Sequence, residues 1–133
     1  MTEIKSEHIN IQNTAQDVFL FLSDFNNFEK IMPEQVVNWH STTETCSFTI
    51  KGMASLEMRR KSMIEFSEIN LVSEGKSPFP FTLSSFLKDQ GGATEAQMVL
   101  NADLNPMLKM MAKKPLQNFV NLLVNKLKEV MEA

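Results

Sequence analysis

The chain has 133 residues, of which 43% are hydrophobic and 22% are charged, and its formal net charge is −3. This length supports one domain with a hydrophobic core, and the composition is typical of globular proteins. Because a weakly negative chain has no basic field, nucleic acid is not an expected partner. No apolar run approaches the roughly 18 residues of a membrane span, so we expect no stable membrane insertion.

The chain contains one cysteine, Cys46, ten methionines, ten phenylalanines, one tryptophan and no tyrosine. A lone cysteine cannot form an intrachain disulfide, and the polar start of the chain lacks an apolar signal segment, so we expect a cytoplasmic location. Methionine and phenylalanine fill irregular apolar space without adding a polar group. They therefore indicate either a deformable packed core or a cavity for an apolar ligand.

The N-terminal part of the chain predicts one strand followed by two short helices. Apolar and polar residues alternate towards the end of 4–11, which is typical of a strand. Asn13 or Thr14 is the predicted N-cap of the first helix, and Thr14 has Asp17 at the spacing of a capping box. The second helix is expected to end before Pro33, because the residue preceding a proline disfavours the α conformation.

The middle of the chain, 35–100, alternates apolar and polar residues with a period of two and predicts about six consecutive strands. Turns are predicted at 51–52, 74–76 and 89–92, where glycine occurs beside polar residues. Short connections favour an antiparallel meander, and the alternation indicates one buried face.

The last stretch predicts a long amphipathic helix with Asn105 as N-cap and Pro106 in the first turn. Pro115 removes the backbone hydrogen bond to Met111, which predicts a kink or a restart. Beyond Pro115 the apolar residues share one face that would cover the sheet. They are Leu116, Phe119, Val120, Leu123, Leu127, Val130 and Met131.

The predicted fold class is therefore α+β, with an antiparallel sheet of about seven strands in the order β-α-α-β6-α. This order, and the stretches 15–33, 74–86 and 98–130, resemble the helix-grip fold of the START / Bet v 1-like superfamily, also called SRPBCC or polyketide cyclase-like. The resemblance spans the chain and implies one domain over 1–133. It also implies a curved sheet wrapped on the last helix, with an apolar cavity between them.

Members of the superfamily bind lipids, sterols, polyketides or hormones, some are cyclases, and others are chaperone-associated modules without catalysis. The resemblance therefore implies an apolar small-molecule ligand. From the strand phases and the helix stripe, we predict these ligand-binding residues: Trp39, Phe48, Met58, Arg60, Phe79, Phe81, Met98, Met111, Phe119 and Leu123.

Two of these residues carry specific expectations. Arg60 shares the phase of Met58, so it is the predicted polar contact if it faces inward, and a solvated residue if the strand twists or ends there. Met111 lies in the methionine-rich first turns of the helix. Flexible side chains at that point are predicted to flank the cavity mouth and to let a ligand pass.

No catalytic, metal-binding or cofactor-binding pattern is visible. His8 and His40 have no cysteine or carboxylate at a metal-ligand spacing. The chain has no GxSxG elbow and no glycine-rich phosphate loop. Cys46 lies in the apolar phase of its strand, which predicts a buried, inert thiol. We therefore expect no catalytic residue, no metal and no cofactor.

The sequence thus favours a small binding protein that holds an apolar or lipid-like ligand. A cyclase- or hydratase-like enzyme stays open as an alternative and would need a titratable group inside the cavity. An interaction module with a filled core is the other alternative. Monomer and homodimer are both open. Lys109, Lys113 and Lys114 beside the methionines indicate either a solvated face or an acidic-lipid contact.

Overall fold

The structure is a computed structural model of the chain and describes residues 1–75 and 77–133. In chain order its elements are β1 (Thr2–Lys5), β2 (Ile9–Ile11), α1 (Ala15–Leu22), α2 (Phe25–Phe28), a 3₁₀ turn (Glu29–Ile31), β3 (Val36–Ser41), β4 (Thr45–Ile50), β5 (Ala54–Ile64), β6 (Glu68–Ser73), β7 (Phe81–Asp89), β8 (Thr94–Ala102) and α3 (Pro106–Met131).

The strands form one antiparallel sheet. Strands β3 to β8 pair in sequence order as a meander, and β1 and β2 both pair with β8. The long helix α3 packs against β1, β2 and β8, while α1 packs against β6 and β7. This α+β arrangement, an antiparallel sheet holding a long C-terminal helix, is a helix-grip fold and confirms the predicted fold class.

The predicted first strand is divided into β1 and β2, which is why the sheet has eight strands where about seven were expected. Ser6 lies between them and is only 3% exposed. Its hydroxyl accepts a hydrogen bond from the Met98 backbone N–H at 2.9 Å, and its own N–H donates to the Met98 carbonyl at 2.8 Å. The break in the strand thus keeps the buried polar groups of both residues paired.

The start of β7 differs from the sequence expectation. Phe79 precedes the strand and lies buried in the loop before it, edge-to-face against Phe81 with ring centroids 5.9 Å apart. The Phe81 N–H donates to the Ser73 hydroxyl at 3.0 Å, which fixes where the strand begins. Lys76, part of the predicted turn 74–76, lies outside the described residues.

Helix α3 runs unbroken from Pro106 to Met131 across Pro115. Of the predicted kink or restart, the restart is therefore wrong, and the kink stays a prediction. Asn105 caps it as expected, with its side-chain oxygen accepting from the Leu108 N–H at 2.9 Å. Pro115 and Met111 both lie on the exposed side of the helix. Water can therefore hydrogen-bond the carbonyl that Pro115 leaves free, which makes the proline tolerable. No described helix has the length and hydropathy to cross a membrane.

The C-terminal end of α3 is fastened to the segment around β2. Lys128 Nζ donates to the Asn10 carbonyl at 2.7 Å, and Asn13 Nδ2 donates to the Met131 carbonyl at 2.9 Å. The Glu132 carboxylate accepts from Lys128 Nζ and from the Gln12 N–H, each at 2.7 Å. These bonds, with that to Lys128 first, hold the pKa of Glu132 below its usual value.

Two adjacent leucines of α3 test how much the buried stripe contributes to stability. Leu123 is 0% exposed and Leu122 is 38% exposed. We expect Leu123→Ala to lower the free energy of unfolding by about 2–5 kcal/mol, because it leaves a cavity in the core. Leu122→Ala, the matched control, should cost less than about half of that. Urea denaturation with a common m-value measures both; equal losses would show that α3 does not pack as described.

Candidate functional site

Seven of the ten predicted ligand-binding side chains converge between the inner face of the sheet and α3, but they fill that space. Each has an accessible fraction of 5% or less. A cavity large enough for a ligand would leave its walls accessible to water from inside, so the expected open cavity is a packed core in this structure. The residues that meet there are Phe48, Met58, Phe79, Phe81, Met98, Phe119 and Leu123.

An aromatic stack closes the interior between the edge strand β3 and α3. The ring of Trp39 stacks on Phe48 at 5.4 Å and 24°, and Phe48 stacks on Phe119 at 6.1 Å and 23°. Trp39 is partly exposed, and its Nε1–H donates to the Ser41 hydroxyl at 3.0 Å. Such offset pairs add stability beyond their buried area, so the stack is a defined closure of the core.

A β-bulge directs Trp39 into this stack. The register of β3 on β4 shifts between Val37 and His40, and Asn38 has a positive φ of 57°. Asparagine tolerates this left-handed conformation better than most residues. Sequence alternation assigns Val37 and Trp39 to one face, but Val37 pairs with Thr49 on the outer face. The bulge thus changes the phase and brings Trp39 to the inner face.

Beside this stack a cleft of about 200 Å³ opens between α3 and the ends of β3 and β4. Its lining is more apolar than polar, and Phe119 belongs to both the cleft and the stack. The lining residues are Pro33, Gln35, Ile50, Lys51, Pro115, Asn118, Phe119 and Leu122. This cleft is the candidate binding site, because it is where an apolar molecule could reach the closed core from solvent.

Backbone hydrogen bonds hold the sheet side of the cleft. The Val36 N–H donates to the Pro33 carbonyl at 3.0 Å, and the Lys51 N–H donates to the Gln35 carbonyl at 2.8 Å. The first bond closes a turn directly before β3, and the second ties that segment to the end of β4. The site residues predicted from the sequence do not include Pro33, Ile50 or Leu122. For Leu122 a signal existed, since it is a leucine that lies off the buried stripe of α3.

Arg60 lies elsewhere than expected. It pairs across the sheet with Leu71 on the inner face, but its guanidinium reaches the end of α1. There it donates to the Ser23 carbonyl at 2.5 Å and to Glu44 Oε1 at 3.3 Å, and its side chain is 23% exposed. A cation at the C-terminal end of a helix satisfies a free carbonyl and opposes the helix dipole. Arg60 therefore fastens α1 to the β3–β4 turn.

Met111 does not lie at a cavity mouth, where the sequence predicted it. It is 70% exposed, and Met107 and Met110 beside it are 72% and 87% exposed. These residues lie on the side of α3 opposite the buried Leu116. They neither line the cleft nor face the core, so the gate that they were predicted to form is wrong. The cleft is bordered instead by the next turns of α3, from Pro115 to Leu122.

The described interior offers little acid–base chemistry. The buried polar residues are Ser6, Ser85 and Thr94. Cys46 is buried as predicted, and burial raises the pKa of its thiol from 9.0 to about 12, with a smaller opposing effect from a hydrogen bond to the Met58 backbone. The thiol is therefore protonated at neutral pH and is not a nucleophile.

Ser85 is the one described buried side chain whose hydroxyl has no hydrogen-bond partner. It lies on the inner face of β7, paired with Ile69 and Met98, and is 1% exposed. Buried polar groups are nearly always paired with protein or water, so this oxygen is a free polar contact within an apolar interior. The sequence pattern does not distinguish Ser85 from the other serines of the strands.

A second cleft, of about 370 Å³, lies on the outer part of β3–β5 and includes His40, Ser47 and Glu57. These three are cross-strand neighbours in one row. Although this cleft is larger, its walls are mostly polar side chains and it is open to solvent. It offers less burial to an apolar molecule than the cleft beside α3, so we assign the candidate site to the latter.

Solved structures share this fold at low sequence identity. XoxI from Bacillus cereus superposes with a TM-score of 0.77, at 10% identity, over 98% of this chain and 96% of that one. The Aha1 dimer from Colwellia psychrerythraea gives 0.72, at 15% identity, over 99% and 97%. The di-domain ARO/CYC BexL of the BE-7585A biosynthetic pathway gives 0.74, at 14% identity, over 97% of this chain and 46% of that one.

Neither a protein-family model nor a curated protein matches the chain. At identities this low, the structural similarities establish the fold alone. They are consistent with the helix-grip, Bet v 1-like architecture that the sequence resembles.

The pKa of Cys46 predicts a loss of stability at high pH. Because the thiol pKa is higher in the folded state, its stabilising effect is complete below pH 9.0 and is lost as the pH rises towards 12. We expect the free energy of unfolding to fall by up to about 1.4 kcal/mol per pH unit in that window, relative to Cys46→Ala. Denaturant titrations of both proteins measure the difference; parallel pH profiles would contradict the burial of the thiol.

The unpaired hydroxyl of Ser85 can be compared with its neighbour Ser84, whose hydroxyl donates to Asn70 Oδ1 at 2.7 Å. We expect Ser85→Ala to leave the free energy of unfolding unchanged or to raise it by about 1 kcal/mol, since it removes an unsatisfied group. Ser84→Ala should lower it by about 0.5–1.5 kcal/mol. Chemical denaturation of the pair tests this; equal losses would show that Ser85 is hydrogen-bonded.

Proposed function

We propose that the protein binds a small apolar molecule in the cleft between α3 and the ends of β3 and β4. The observation that carries the proposal is the position of Phe119, which forms a wall of the cleft and the inner end of the aromatic stack. A ligand in the cleft lies against Phe119 and Leu122 and gains affinity mainly by removing apolar surface from water.

The filled core limits the size of the ligand unless side chains move. The cleft alone holds a small molecule or one end of a longer one. A larger ligand has to displace Phe119 and open the stack, and the methionines of the core are flexible enough to repack around it. In that case the free hydroxyl of Ser85 is available to a polar group of the ligand.

An interaction module is the second candidate, and the packed interior favours it. The structurally similar Aha1 of Colwellia psychrerythraea is described as a dimer, so a homodimer is compatible with this fold.

The third possibility is an enzyme like the ARO/CYC protein BexL, which shares the fold. It has less support, because the buried titratable group among the described residues is the Cys46 thiol, which is protonated at neutral pH.

Two further features belong to the proposal. We propose that residues 1–133 act as one domain, because one sheet and one core involve most of the described elements. We also propose a cytoplasmic location, for which the support is the single, buried cysteine Cys46.

Trp39 is the single tryptophan of the chain. Its ring stacks on Phe48, which stacks on Phe119 of the cleft wall, so Trp39 fluorescence reports on the site. We expect short-chain fatty acids, sterol fragments or flavonoid-like compounds to change the Trp39 emission in a saturable way. Leu122→Asn should weaken this binding about tenfold, because it removes one apolar wall. Fluorescence titration, with a thermal-shift measurement in parallel, gives both results.

The control is Leu20→Asn, which changes another exposed leucine, on α1 and 54% exposed. It should leave binding unchanged while making the same chemical substitution. If no compound alters the Trp39 emission or the melting temperature, or if both variants weaken binding equally, the cleft is not the ligand site.

A further inference from the structure

The first turns of α3 are apolar on the side that faces solvent. A surface helix normally carries polar residues there. On α3, Met107, Met110 and Met111 occupy neighbouring positions of one helical face and are 72%, 87% and 70% exposed. On the opposite side of the same turns Ala112 is buried against the protein. The contact of these turns with the protein is thus made by the other side, and the methionines have no cover among the described residues.

Three lysines lie in the same turns of α3 as this methionine face, by which we mean Met107, Met110 and Met111. Lys109, Lys113 and Lys114 lie in the same turns and are all exposed. Between Leu104 and Lys128 the sequence contains no Asp or Glu, although the whole chain has a net charge of −3. The positive charge of the protein is therefore concentrated at this segment of α3.

We propose that the methionine face and its lysines dock reversibly on the surface of an anionic phospholipid bilayer. The methionines enter the boundary between headgroups and acyl chains, while the lysine stems extend and place their ammonium groups among the lipid phosphates. The attraction depends on lipid charge and weakens with salt, because the lysines act through the surface potential. Docking of this kind leaves α3 folded on its sheet and inserts no segment across the membrane.

The surface fits a bilayer better than a second protein. A stable protein–protein interface takes about 20–30 residues from each partner, whereas the exposed apolar residues at this end of α3 are three methionines. Interfaces are also depleted in lysine at their centre. A bilayer needs neither shape complementarity nor a large area, and a few apolar side chains with a basic cluster are sufficient for weak binding.

This inference does not depend on the proposed ligand, although the cleft starts at Pro115, directly after the methionine face. A protein docked through these turns has the cleft next to the lipid surface, which suits exchange of an apolar molecule with the bilayer. Failure of ligand binding would leave the docking proposal intact, and failure of docking would leave the cleft as a site for a soluble ligand.

Vesicle sedimentation tests the proposal with the full chain. The wild-type protein should sediment with vesicles of phosphatidylcholine and phosphatidylglycerol, stay in solution with phosphatidylcholine alone, and be released by high salt. Replacing Lys109, Lys113 and Lys114 by glutamine should lower the partition coefficient on the order of 100-fold. Replacing the three methionines by glutamine should lower it at least about tenfold while the charge stays the same.

Matched controls separate this surface from general charge and hydrophobicity. Lys30, Lys61 and Lys88 are exposed elsewhere, and their replacement by glutamine changes the net charge by the same amount. The double variant Met63→Gln, Ile64→Gln removes exposed apolar side chains at the end of β5 that lies away from the cleft. Both controls should retain binding. All substituted positions are exposed, so melting temperatures should stay close to that of the wild type.

Several results would overturn the proposal. Wild-type protein that remains in solution with anionic vesicles would do so, as would binding that is independent of lipid charge. Equal losses in the control variants would show that the methionine face is not special. Sedimentation velocity covers the remaining possibility: if the methionine variants dissociate a dimer of the wild-type protein, the face holds a second copy of the chain and not a bilayer.

Discussion

The burial of one face of α3 on the sheet is the interaction on which the rest of the structure depends. Leu116, Val120, Leu123, Val124 and Leu127 are all 0% exposed. Each such side chain contributes roughly 1.5–3 kcal/mol when it is fully buried. Together they contribute about as much as the net stability of a typical domain, about 5–15 kcal/mol. A sheet that is polar on its outer face has no other cover of this size, so the helix and the sheet stabilise each other.

This dependence explains why the interior is filled. An empty space beside α3 would remove contacts from the residues that provide most of the stability, and each missing contact would cost free energy. The candidate cleft therefore lies at the edge of the core, where Phe119 borders the packed stripe of α3 and Leu122 lies outside it. Binding at such an edge costs the protein little stability, whereas binding deeper in the core would require α3 or the aromatic stack to move.

Much of the fold follows from local patterns. The period of two across 35–100 and the helical stripe from Leu116 onward predict the meander and its cover, because these patterns directly reflect which side chains are buried. Caps at Thr14 and Asn105 were predictable for the same local reason. At the division of the first strand, Ser6 pairs with the distant Met98, and no pattern within either segment reveals such a pairing.

The site was less predictable than the fold, because it depends on side-chain direction at the ends of elements. The bulge at Asn38 reverses the phase of β3, and Arg60 leaves the inner face to reach Ser23. Strand alternation alone predicts neither change.

The two ends of α3 also have different constraints, although both are helical. The C-terminal end is bonded to Asn10, Gln12 and Asn13. Its apolar residues continue the buried face of the helix. Towards the N-terminal end, before Pro115, the exposed methionines are not explained by packing within the chain, since Ala112 is already the residue that faces the protein. Hydrophobicity that does not stabilise the fold points to a contact outside it. The same helix therefore closes the core with one segment and presents the proposed docking surface with the other.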